Sequence, residues 1–113
     1  MEIKIRTNQL IYILDLKGDM YLADSNLLKE LVMKMIEKKV ERIILNVDKI
    51  NSIDSSGIGA LIYISSTVKK LNLSFAIANV RGSVKQVIEK IKLASYFPIC
   101  ADLQSAITEL SKN

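Results

Sequence analysis

The chain has no histidine, a single cysteine, a single proline and few aromatics among its 113 residues. Each scarcity removes a class of chemistry. Without histidine no Ser-His-Asp or Cys-His constellation can be assembled, and the commonest general base at neutral pH is missing. Metal ligation would rest on carboxylates alone. Cys100 has no partner for an internal disulfide, and in a short apolar stretch it reads as a small core residue rather than a reactive thiol. There is no Gly-Lys-Ser/Thr phosphate loop, and after Gly57 and Gly59 the last position of a Gly-x-Gly-x-x-Gly fingerprint is Ile62. An enzyme is disfavoured, and no cofactor is expected.

Uncharged apolar runs stop short of membrane-spanning length, and Met1-Glu2-Ile3-Lys4 lacks the basic-then-apolar order of a secretory leader. A soluble, cytoplasmic protein is expected. The formal charge of +4 comes mainly from lysines such as Lys34, Lys38, Lys69, Lys85 and Lys90, scattered over the polar sides of helix patterns. They read as a solvated surface rather than a nucleic-acid face.

Half the composition is apolar, which suffices for one core and one domain over residues 1–113. Ile3, Ile5 and Thr7 alternate with charged residues, and Leu10 to Leu16 follows after a polar break, so an N-terminal β-hairpin is expected with its second strand the more buried. A polar loop through Gly18, Asp19, Asp24, Ser25 and Asn26 then leads into Leu27, Leu28, Leu31, Val32, Met35 and Ile36, one face of an amphipathic helix. Further strands are expected at Arg42 to Val47, Leu73 to Ala78 and Phe97 to Cys100, where Pro98 points to a sheet edge. Helices are expected after Gly57 to about Lys70, after a Ser83/Gln86 capping box, and after a cap at Asp102. The alternation of helix and strand favours parallel pairing. The fold class is α/β, a mixed sheet of four to five strands with about four helices. Lys4 and Arg6 on the hairpin leave monomer and weak dimer both open.

The most informative segment is Asp54-Ser55-Ser56-Gly57-Ile58-Gly59, placed where an apolar strand run gives way to a helix pattern. Ser55 is the candidate regulatory residue. Serines at such a corner can simply cap a helix, and Asp54 can either accept backbone N–H bonds or orient Ser55. The carboxyl edge of a parallel sheet should gather this turn and the Gly82-Ser83 turn, joined by the Asp19 to Asn26 loop.

Ile53-Asp54-Ser55-Ser56-Gly57-Ile58-Gly59, after a strand ending Ile44-Leu45-Asn46-Val47, resembles the signature of bacterial anti-sigma factor antagonists, the standalone members of the STAS domain family. Gly18-Asp19, Asp24 and Phe97-Pro98-Ile99 also fall in familiar places. Three positions depart from the family pattern: Asn46 stands where the strand usually carries an aspartate, the family's serine near Asp48 is missing, and Lys92 lies near the family's helix-ending glycine. The resemblance implies a STAS-like single domain that acts as a substrate rather than a catalyst. Its unmodified form would bind an anti-sigma factor that is also a serine kinase, releasing the sigma factor. That kinase would use ATP to phosphorylate Ser55, or less readily Ser56, and a metal-dependent serine phosphatase would reset the switch. Asp24, Asp54, Ser55, Ser56, Gly57, Ile58 and Gly59 form the implied partner surface, with Gly57 and Gly59 allowing close backbone approach. Two other classes stand beside this one: a scaffold or accessory subunit of a signalling or lipid-transport complex, and a small enzyme using Ser55 with Asp54 or a lysine.

Overall fold

The computed structural model describes residues 1–112. β1 (Glu2–Asn8) and β2 (Ile11–Met20) form the expected hairpin, antiparallel from Glu2 opposite Lys17 to Asn8 opposite Ile11. There follow α1 (Leu22–Glu37), β3 (Arg42–Ile53), α2 (Ser55–Lys70), β4 (Ser74–Ala78), α3 (Gly82–Lys90), β5 (Ile99–Cys100) and α4 (Leu103–Ser111). The five strands lie side by side in chain order, and β2 to β5 run parallel. The mixed sheet and four helices implied by the sequence pattern are present.

Strand order dictates the layers. When parallel strands advance steadily in one direction and crossovers share one hand, every crossover helix falls on the same face. Accordingly Leu28, Val32 and Met35 of α1, Leu61, Ile64 and Val68 of α2, and Val84 and Ile88 of α3 share one core with Leu14, Leu16, Leu45 and Val47 of the sheet. The last helix folds back on the other face, where Ala106 and Leu110 meet Ile11, Ile13, Ile44, Ala76 and Ala78. β3 is therefore covered on both faces, as its unbroken Ile43-Ile44-Leu45 run requires.

Where α4 does not reach, this second face is open and polar. Arg6 donates from Nε to Asp15 Oδ2 at 2.6 Å, and Asn46 Nδ2 donates to Asp15 Oδ1 at 2.8 Å. Asn46 Oδ1 in turn accepts from the Asp48 amide at 3.3 Å and from Asn79 Nδ2 at 3.0 Å. One amide thus ties β2 and β3 to the loop after β4. Burial pushes the Asp15 carboxyl up, but the hydrogen bonds from Arg6 and Asn46, with the nearby Arg6 and Lys49 charges, outweigh it and hold the group below the usual carboxylate value.

Several boundaries differ from expectation, and β5 is confined to Ile99–Cys100, with Phe97 and Pro98 outside the strand. β2 runs to Met20 and β3 to Ile53, so Gly18-Asp19 and Asp48 to Ser52 are strand rather than loop. The two extensions pair with each other, with register shifts between Asp15 and Lys17 and between Gly18 and Asp19. A bulge breaks the two-residue alternation that marks a strand, and Gly18 supplies the φ of +114° needed there. α1 consequently begins at Leu22, a turn early, with Tyr21 as a cap that offers no side-chain bond. α3 is entered through Arg81 without a side-chain cap, so Ser83 lies inside the first turn and the Ser83/Gln86 box does not form. The cap expected at Asp102 is present, accepting from the Ser105 amide at 2.7 Å.

Lys92, Lys39 and Asn72 each follow a helix end in the left-handed region, with φ of 60°, 70° and 56°. Only glycine enters that region without a Cβ penalty. Lys92→Gly is expected to stabilise the domain by about 1 kcal/mol in denaturant unfolding. Acidification should act through Asp15. Its folded pKa lies below its unfolded one, so its contribution is complete at neutral pH and is lost as pH falls below about 4. Denaturation midpoints measured from pH 7 to pH 3 should fall with pH, and less steeply in Asp15→Asn.

Candidate functional site

The motif lies at a corner built by the paired strand extensions. Met20 at the end of β2 is opposite Ile53 at the end of β3, and the Asp54 amide donates to the Met20 carbonyl at 3.4 Å. Asp54 is extended, with φ −108° and ψ −173°, and caps α2 by accepting from the Gly57 amide at 3.1 Å. Ile58 N–H then closes the first helical turn on the Asp54 carbonyl at 3.1 Å. The cap is Asp54, so Ser55 and Ser56 are the first two helical residues and their hydroxyls are not needed to start the helix.

Ser55 is exposed and Ser56 half-buried. Among the described residues nothing hydrogen-bonds the Ser55 hydroxyl. Gly59 and Tyr63 follow at helical spacing and are also exposed, so Ser55, Gly59 and Tyr63 run along one stripe of α2 with a gap at its centre. Gly57 and Ile58 take a different role from the one expected of them, since both are buried within the chain. A Cβ on Gly57 would lie 2.5 Å from Ile53 Cγ1 and 2.6 Å from the Met20 carbonyl oxygen, whereas one on Gly59 would meet nothing within 4 Å. Close approach at Gly57 is to this chain's own backbone; only Gly59 offers an outward gap.

Asp24 sits in the first turn of α1, beside the same corner, but its carboxylate already accepts from the Met1 amine at 2.9 Å. The Gly82-Ser83 turn is elsewhere. Asn79 reaches Asn46, and Arg81 pairs with Asp48 at 2.9 Å, so this turn joins β3 where the extension begins. Residues 47–53 separate it from the Asp54 corner, roughly 20 Å of strand.

The structure adds residues that the sequence pattern did not single out. Tyr21 shares a hydrogen bond with Ser52 at 2.6 Å, and Ser52 donates to Asp19 at 2.8 Å, which locks the two strand ends together below the corner. Tyr21, Leu22 and Leu27 are 45%, 62% and 60% exposed and surround the start of α1. The helical spacing places Leu27 on the core face, and the structure leaves it exposed. It lies one residue, about a hundred degrees, off the Leu28, Val32, Met35 line, and that offset was the signal available. Among the described residues no group of Cys, Asp and Glu side chains is placed to hold a metal ion, and no helix is long and apolar enough to cross a membrane.

The two glycines should respond in opposite senses. Gly57→Ala forces the Met20 carbonyl and Ile53 to move and is expected to cost about 1–3 kcal/mol. Gly59→Ala adds a good helix former in open space and is expected to gain about 0.5–1 kcal/mol. Urea unfolding of the two variants checks both signs.

A putative anti-sigma factor antagonist from Thermotoga maritima superimposes with a TM-score of 0.89 at 20% identity, covering 97% of this chain and 95% of that one. The anti-sigma factor antagonist SpoIIAA, a Bacillus cell fate determinant, matches in its unphosphorylated form with a TM-score of 0.77 and in its phosphorylated form with 0.75, each at 15% identity. Those pairings cover 99% of this chain and 100% of the unphosphorylated form, and 96% and 99% for the phosphorylated one. Sulfate transporter 3.1 of Arabidopsis thaliana is 26% identical across 77% of this chain, which spans only 15% of that transporter. The family model described as the STAS domain matches residues 2–106, and the chain belongs to that family.

Proposed function

We propose that this protein is an anti-sigma factor antagonist switched by phosphorylation at Ser55. The observation that carries the reading is the separation of roles at the corner. Asp54, Gly57 and Ile58 are bound into the fold, while the hydroxyl between them is exposed and unengaged. In this reading the unmodified form binds an anti-sigma factor with serine kinase activity and frees the sigma factor; a metal-dependent serine phosphatase restores that form. The likeness to SpoIIAA in both its phosphorylated and unphosphorylated forms supports it.

The physics of the switch follows from position. A phosphate on Ser55 adds about −1.5 to −2 charges. At a helix N-terminus the dipole and free N–H groups favour an anion by about 0.3–1 kcal/mol, so the domain stays folded. Inside a partner interface the same dianion would lose water without a prepared counter-charge, beside the Asp54 carboxylate. An unpaired buried charge costs about 3–5 kcal/mol, a factor of hundreds or more in affinity. Association is lost before the fold is. The likeness to a sulfate transporter favours a second reading, an accessory domain of a transport assembly, in which Ser55 would carry no kinase-dependent label.

The test is to incubate the protein with ATP and an anti-sigma-type serine kinase from the same genome, then map phosphate by mass spectrometry. Label is expected on Ser55 and absent from Ser55→Ala. Ser55→Asp should bind that kinase at least about tenfold more weakly, with an unchanged circular dichroism melt. A label confined to other residues, or undiminished binding by Ser55→Asp, would remove the reading.

A further inference from the structure

Among the described residues β1 is an edge strand with no neighbour beyond it, and two observations say what fits there. First, the hairpin closes through the two residues Gln9 and Leu10 between Asn8 and Ile11. Antiparallel pairs alternate, and the pair closing such a loop is hydrogen-bonded, so Asn8, Arg6, Lys4 and Glu2 spend their backbone groups on β2. The N–H and C=O groups of Ile3, Ile5 and Thr7 point outward.

Second, the edge is complementary to itself. Laid antiparallel on a second copy with Lys4 at the two-fold axis, the strand sets Glu2 opposite Arg6 twice and Ile3 opposite Ile5 twice, so the outward backbone groups of Ile3 and Ile5 meet those of the other copy while Thr7 lies past the end of the ladder. Centring on Ile5 instead would oppose Lys4 to Arg6 twice; centring on Ile3 would shorten the ladder and strand Arg6 and Thr7. The side chains agree with this register. Ile3 packs against the main core, whereas Ile5, on the same face, is 48% exposed and would be covered by Ile3 of the second copy. Arg6 uses Nε and one terminal nitrogen on Asp15 and keeps further donors for Glu2 of the other chain. The one adverse contact is Lys4 against Lys4, which keeps the association weak.

We propose that β1 is a self-recognition edge through which two copies join their sheets, in a register centred on Lys4. This goes beyond the Ser55 reading and is tested without any kinase, so its failure leaves that reading intact. Sedimentation velocity of the full chain over rising concentration should show a monomer–dimer equilibrium. Ile5→Pro removes an outward N–H that β2 does not use and should abolish the dimer with the fold retained. Lys4→Thr removes the facing ammonium groups and should strengthen it. In a Cys100→Ser background, Lys4→Cys should form an intermolecular disulfide under mild oxidation and Thr7→Cys should not, because only residue 4 faces its own copy. A wild-type chain that stays monomeric, a dimer that persists in Ile5→Pro, or equal cross-linking from positions 4 and 7 would overturn the proposal.

Discussion

The seating of Gly57 against the Met20 carbonyl is the contact on which the corner depends. It is possible only because β2 and β3 continue together past the point where β4 leaves off, bringing the end of one strand to the start of the helix that follows the other. With no side chain at 57, the first turn of α2 sinks onto the strand ends, Asp54 bonds back to the Gly57 amide, and Ile58 reaches the core. What remains outside is set by subtraction. Ser55 points away because the residues on either side of it are held in.

That arrangement separates two energies that are entangled in most surface loops. Folding uses the cap, the buried glycine and the isoleucines, none of which needs the serine hydroxyl. The proposed binding at the corner would use the hydroxyl, the gap at Gly59 and the exposed rim of Tyr21, Leu22 and Leu27. A charge added there falls on the second set alone, and the Tyr21–Ser52–Asp19 hydrogen bonds stiffen the platform beneath it.

Much of this was legible in the residues. Period-two alternation marked β1 and β4, an unbroken apolar run marked β3, and Asp102 announced α4 by a cap that the structure contains. The Asp54 to Gly59 segment located the corner. The strand extensions were hidden because Asp48 to Ser52 and Gly18-Asp19 are turn-formers by composition, and bulges between the paired strands erase the alternation that would have overruled composition. The buried role of Gly57 was hidden for a related reason. A glycine at a helix start signals freedom from a Cβ, but which neighbour needs the space depends on tertiary approach, here Met20, far away in sequence. Ser83 and Gln86 show the reverse error, a sound local signal that the chain's entry through Arg81 leaves unused.

Asn46 carries a consequence for how this sequence can drift. Its amide donates to Asp15 while its oxygen accepts from the Asp48 backbone and Asn79, a double duty that a carboxylate cannot perform. An aspartate at 46 would set two anions within about 2.8 Å of each other unless one of them gave up its charge. Positions 15 and 46 are therefore epistatic. A change at one is expected to alter the effect of a change at the other, and the Arg6 guanidinium on the neighbouring strand faces whichever charge balance results.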